Sequence, residues 1–187
     1  LAQGDEPGAL QAGAAAIDVS PQHFPVNMLG QFYENFAETA HDPLYARAIV
    51  LKNDQSCIAM VVVDNLGVDP AVIEAAKQLA AKQTNIPTHR IMVSSTHTHT
   101  APPTAITTAG TTAAKYRELM INGIAESIVQ AHQNLRAVEF GFNAKPLADE
   151  VFNRRWHLKP GKMPLSPFGE LDQVKMNPGN NTSTLDR

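Results

Sequence analysis

The amino-acid sequence predicts an α/β fold, a mixed β-sheet with helices packed on it. Three observations carry this reading. The apolar run Cys57 to Val63 is followed by a helical segment and then by the run Arg90 to Ser94. That order forms a β-α-β unit, which favours a parallel pair joined by a right-handed crossover. Just upstream, Leu44 to Leu51 is apolar and separated from Cys57 by an Asn53-Asp54 turn, which reads as a hairpin. Finally, Tyr116, Leu119, Gly123, Ile124, Ile128 and Ala131 recur at helical spacing between about Thr112 and Asn134.

The elements follow in order. Residues 1–13 are rich in Gly, Ala and acidic residues and read as a loose tail, leaving 14–187 as one domain. Ala14 to Val19 is a first strand, closed by Ser20-Pro21. From Gln22 to Asp42 no period is clean, and a connection that long in a compact domain is often functional. In the Cys57 strand, Val61-Val62-Val63 favours strand over helix because β-branched side chains fit a pleated surface. Asp69-Pro70 is a helix start, Asp at the N-cap and Pro at the first helical position. Val72, Ile73, Ala76, Leu79 and Ala80 share one face of that helix, and Asn85-Ile86-Pro87 ends it. Arg136 to Phe142 alternates as a strand, and Phe152 to Leu158 holds another short one. Beyond Lys159, repeated Pro and Gly break regular structure.

Composition narrows the function. The net charge of -3 gives no electrostatic footprint for nucleic acid. The longest apolar runs fall short of the roughly 18 residues a transmembrane helix needs. Cys57 is the sole cysteine and sits inside an apolar run, so it reads as a small buried hydrophobe.

The sharpest chemical signal is Ser94-Ser95-Thr96-His97-Thr98-His99-Thr100-Ala101-Pro102-Pro103, directly after a buried strand. If the extended conformation continues, His97 and His99 point to one face. Two imidazoles so placed suit a divalent metal, and zinc accepts neutral His nitrogens. The position is apt, because ligands of open α/β sheets bind beyond the carboxyl ends of strands. Two hydrogen-bonded surface histidines are the bland alternative. Asp64-Asn65 ends the preceding strand and reads either as a turn or as a carboxylate that orients a ligand imidazole. His41 is a turn residue or lines a pocket, and His157 beside Trp156 is a weaker pocket candidate. In Asn153-Arg154-Arg155-Trp156, an arginine could stabilise charge developing in acyl transfer, or simply face solvent. Phosphate loops, Gly-x-Ser-x-Gly elbows and Cys/His nucleophile pairs are absent from the sequence.

Together these segments resemble the neutral/alkaline non-lysosomal ceramidases. The carriers are Ser95-Thr96-His97-Thr98-His99, Asp42-Pro43-Leu44-Tyr45-Ala46-Arg47-Ala48, Val63-Asp64-Asn65-Leu66-Gly67, Asn153-Arg154 and the opening Ala14 to Pro21. The resemblance implies the N-terminal part of a larger α/β catalytic domain. It also implies a zinc amidase that uses a zinc-bound water to cleave the N-acyl bond of ceramide or a related lipid. His97 would bind Zn2+, His99 would lie beside the scissile carbonyl, and Arg154 would hold the carbonyl or oxyanion, with Asn153 beside it. The family's other zinc ligands come from later sequence, so the remaining C-terminal part of the polypeptide is an expected partner. A secreted or periplasmic setting is implied as well. Two departures stand out: Thr100-Ala101-Pro102 replaces the family's Ser-Gly-Pro, and Arg155-Trp156 replaces its Ser-Pro. A divergent metal hydrolase of another amide or ester, or a non-catalytic domain on the same scaffold, are the competing readings. On the family reading, the sheet should also present apolar surface that other residues cover.

Overall fold

The structure, a computed structural model, describes residues 9–30, 32–105, 108–146, 155–171 and 174–176. The chain divides into two compact units, Leu1–Phe140 and Gly141–Arg187, where the sequence suggested one domain from residue 14 onward. The first unit contains the expected mixed sheet. In chain order its strands are β1 (Gln11–Asp18), β2 (Val26–Asn27), β3 (Phe36–Ala37), β4 (Tyr45–Lys52), β5 (Cys57–Val63), β6 (Ile91–Ser95) and β7 (Arg136–Ala137). Five of them form one sheet in the order β6-β5-β4-β1-β7. The β5/β6 pair is parallel and the others are antiparallel. In the second unit, β8 (Arg155–His157) and β9 (Val174–Met176) form an antiparallel ribbon.

The β4/β5 hairpin closes through Asn53, whose side-chain oxygen accepts from the amides of Gln55 and Ser56 at 3.0 and 2.8 Å. Helix α1 (Pro70–Thr84) starts as its sequence requires: the Asp69 carboxylate accepts from the Ala71 amide at 2.9 Å. It ends at Asn85, whose left-handed φ of 61° suits an asparagine C-cap. Helix α2 (Thr112–Gln133) is capped by the Thr111 hydroxyl. Both helices bury their apolar faces with one face of the sheet. Val50, Val61 and Val63 from the strands meet Val72 and Ala76 of α1 and Met120, Ile124 and Ile128 of α2, all fully buried. At Gly123 the backbone of α2 comes so close to β1 that an added Cβ would lie 2.3 Å from Val19 Cγ1.

On the other face of the sheet, the register aligns Ile49, Met60 and Met92 in one row. Ile49, Val62 and Met92 are exposed there. The unbroken apolar run of β5 thus buries only one face among the described residues, and the other is apolar but exposed, where a strand that alternates cleanly would be polar.

Two boundaries differ from expectation. β1 begins at Gln11, so residues 11–13 belong to the sheet and not to a tail. Gly13 permits this, because a Cβ there would overlap the Ala131 carbonyl near the end of α2. The strand expected over Arg136 to Phe142 shrinks to β7, which pairs only with Gln11 and Ala12 at the start of β1. Alternation alone cannot hold a strand whose partner has ended.

Candidate metal and catalytic site

The site is built where β5 and β6 end side by side. After Ser95 the chain leaves β6, and the Thr96 amide donates to the Val63 carbonyl at 3.0 Å. His97 then adopts a left-handed φ of 63°, which is uncommon for a residue with a side chain. The extended conformation therefore stops before the histidines, and strand alternation is not what aligns them. They nevertheless meet: the two rings lie edge to face with centroids 5.1 Å apart.

Backbone carbonyls from two other segments orient the rings. His97 Nδ1 lies 2.8 Å from the Leu66 carbonyl oxygen, and His99 Nδ1 lies 2.9 Å from that of Gly30. A carbonyl only accepts, so each Nδ1 carries the proton and each neutral ring keeps its lone pair on Nε2. Both side chains are exposed, and neither Nε2 has a hydrogen-bond partner among the described residues. A ligating imidazole commonly has its second nitrogen fixed in this way.

Beneath them, Asn65 is fully buried at the end of β5. Its side-chain amide donates to the Pro102 carbonyl at 3.0 Å, and its oxygen accepts from the Gly67 amide at 3.1 Å. It thus ties the turn carrying Leu66 to the loop carrying both histidines. Thr104, also buried, accepts from the Asp69 amide at 2.9 Å and anchors the far end of that loop to the start of α1. On α2, burial pushes the Tyr116 phenol well above the usual range; Asn65 opposes this, and the Asp64 charge adds a still smaller upward push. Its hydroxyl has no hydrogen-bond partner among the described residues.

Of the two readings of Asp64, the structure bears out the turn residue. Its carboxylate accepts from the Tyr45 amide at 2.9 Å and from Arg47 at 2.6 Å, so it closes the β4/β5 end and does not orient an imidazole. The backbone carbonyls perform that task. His41 is almost fully exposed beside Asp42 at 3.1 Å, and the two help line a cavity of about 280 Å³. Phe24, Val26, Met28, Leu44, Thr100 and Pro102 supply other walls, so the cavity abuts the histidine loop. His157 lies in the second unit and is exposed. Asn153 and Arg154 lie outside the described residues. No group of three or more His, Cys, Asp or Glu side chains able to hold a metal occurs among the described residues.

Gly30 was missed by sequence reasoning because it falls in the aperiodic stretch between Gln22 and Asp42. The sole cue was a glycine with no regular element around it, which is common in any loop.

The N-terminal profile of the neutral/alkaline non-lysosomal ceramidases matches residues 10–157, most of the first unit and the start of the second. The chain belongs to this family. Among its relatives, neutral ceramidase 2 of Arabidopsis thaliana is 30% identical over 175 residues, covering 87% of this chain and 22% of the relative. Neutral ceramidase 3 of the same plant is 30% identical over 155 residues, 76% of this chain and 21% of the relative. The chain therefore spans about a fifth of the length of the curated relatives it matches. The fold is similar to that of the neutral ceramidase from Pseudomonas aeruginosa, with a TM-score of 0.60 at 22% identity over 71% of this chain and 23% of that one. A ceramidase complexed with C2 gives 0.52 at 23% identity, over 70% of this chain and 22% of that chain. No described helix is long and apolar enough to cross a membrane.

Proposed function

We propose that this chain contributes a zinc ligand and a proton-handling histidine to an amide hydrolase of the ceramidase type, acting on the N-acyl bond of ceramide or a related N-acyl lipid. The observation that carries the reading is the pair of exposed imidazoles, each held at Nδ1 by a carbonyl and each with Nε2 unengaged. Zinc favours such neutral nitrogen donors, so the residues present fit the ion. His97 is the ligand and acts through Nε2. The donors that complete the coordination come from elsewhere in the assembled enzyme, since the described residues gather no third one. When bound, zinc supplies Lewis acidity that activates water and polarises a carbonyl.

His99 sits beside the ligand with its own Nε2 free to exchange a proton with the reacting amide, and Arg154 is the candidate to steady the carbonyl oxygen. The apolar cavity at Phe24, Val26, Met28 and Leu44 suits a hydrocarbon chain, and it shares the histidine loop as a wall. Family membership supports the reaction class, and the cavity supports a lipid over a polar amide.

The test is hydrolysis of N-acyl sphingoid lipids and of short polar N-acyl amides by the wild-type protein and a His99→Gln variant. Turnover of the lipid amide, reduced about 10²–10⁴-fold in the variant, is expected for loss of a proton-transfer group. Equal turnover in the variant would remove His99 from the chemistry. Turnover confined to the polar amides would overturn the lipid assignment.

A further inference from the structure

His99 and Gly30 are 69 positions apart in sequence, yet three independent features of Gly30 converge on the His99 ring. Its carbonyl oxygen lies 2.9 Å from Nδ1. Its φ is +97°, a conformation that side-chain-bearing residues rarely adopt. A Cβ placed on it would lie 2.4, 2.5 and 2.6 Å from Cγ, Nδ1 and Cβ of His99. The Gly30 backbone is therefore pressed against the Nδ1 side of the imidazole, closer than any other residue type permits.

Nor is this segment free to move away. The Leu29 amide donates to the Ala101 carbonyl at 3.1 Å, docking the residue before Gly30 onto the loop just after His99. The Met28 amide donates to the Asn35 carbonyl at 2.8 Å, which joins the segment to the β2/β3 ribbon. The ring is thus clamped between its own loop and a carbonyl whose place is fixed by hydrogen bonds preceding it. His97 is served by a different carbonyl, Leu66, so the two rings are oriented independently.

We propose that Gly30 is the positioning residue of His99: its carbonyl fixes the Nδ1–H tautomer and the ring plane, and its missing side chain leaves the space the ring occupies. This rests on the proposed role of His99, but its geometry can be read without metal or substrate. In that role Gly30 touches no reacting atom. It ensures that the nitrogen presented outward is the one with the lone pair, and it stops the ring from flipping to present a carbon.

The test is long-range 1H–15N correlation spectroscopy of the intact protein labelled at the histidine rings, recorded metal-free at a pH where the rings are neutral. His97→Ala and His99→Ala variants assign the signals. The wild-type protein should show a single His99 tautomer with the proton on Nδ1. Gly30→Ala should lose that pattern at His99 and retain it at His97. Gly110→Ala is the control, because Gly110 also has a positive φ, +79°, but no atom within 4 Å of an added Cβ. It should leave both rings unchanged. In the active enzyme, Gly30→Ala should lower kcat about 10–100-fold with KM little altered, the range for residues that orient catalytic groups. A wild-type His99 with its proton on Nε2 would overturn the proposal, whether or not the Gly30 variant folds, and so would a Gly30→Ala spectrum with the His99 tautomer intact. Absence of amide hydrolysis would defeat the proposed function and leave the wild-type ring pattern unaffected, so the two failures are separable.

Discussion

Replacing Asn65 by Ala should loosen the histidine loop at a cost that can be worked from its two hydrogen bonds. The Pro102 carbonyl is buried and receives the Asn65 amide, so losing that donor leaves an oxygen with no water to replace it. Such a group costs about 1–3 kcal/mol. Gly67, by contrast, is exposed, and its amide can return to solvent for about 0.5–1 kcal/mol. The sum is about 1.5–4 kcal/mol, most of it from Pro102. Urea denaturation checks this: the midpoint should fall while the slope with denaturant stays constant, because the same surface is exposed on unfolding. Asn65→Asp sharpens the test. It keeps an acceptor for Gly67 but sets an oxygen against the Pro102 carbonyl, so it should be at least as damaging as Ala. An Asn65→Ala protein within about 0.5 kcal/mol of wild type, the usual scatter for surface changes, would refute the clamp.

Three further outcomes are expected. Tyr116→Phe should be neutral or slightly stabilising, since the buried hydroxyl has no hydrogen-bond partner among the described residues. The wild-type protein should also lose stability as pH rises past about 10, where only the unfolded chain ionises this tyrosine, and the Phe variant should lose less; parallel alkaline profiles would count against it. Gly123→Ala should destabilise by about 1–3 kcal/mol in thermal or urea unfolding, because the clash with buried Val19 outweighs the roughly 1 kcal/mol gain in helix propensity; a stabilised variant would contradict the close approach. Partial burial, with a smaller effect of Lys52, holds the His132 imidazole below its usual range. The unfolded chain therefore binds a proton there first, so the stability contribution is complete above about pH 6.5 and declines as pH falls through that value towards the lower folded one. His132→Gln should flatten this part of the acid limb, and an unchanged pH profile would exclude the residue.

The legible parts of this molecule were those governed by local rules. The β4/β5 hairpin, the β-α-β crossover and both helices follow from turn chemistry, capping and apolar period, and each is found within a few residues of its expected bounds. The histidine pair was legible too, but for a partly mistaken reason. Strand alternation was expected to align His97 and His99, whereas the strand stops at Ser95 and two remote carbonyls align the rings. Gly30 and Leu66 act through backbone carbonyls brought in from remote segments, which residue type alone does not reveal, whereas Asn65, marked out beside Asp64, acts through its side-chain amide. Asp64 was legible only as a choice between two roles: a carboxylate beside a histidine site in sequence is bound to Arg47 and Tyr45 in space, which leaves the turn role. Likewise Gly13 looked like part of a flexible tail, yet it is a strand residue pressed against the end of α2.

The central claim is that His97 is a metal ligand, and the most direct measurement is the zinc content of the intact protein by elemental analysis, beside folded His97→Ala. About one zinc per chain in the wild-type protein, lost in the variant, is the predicted result for a ligand of a single site. Zinc absent from both, or retained in full by the variant, would contradict it.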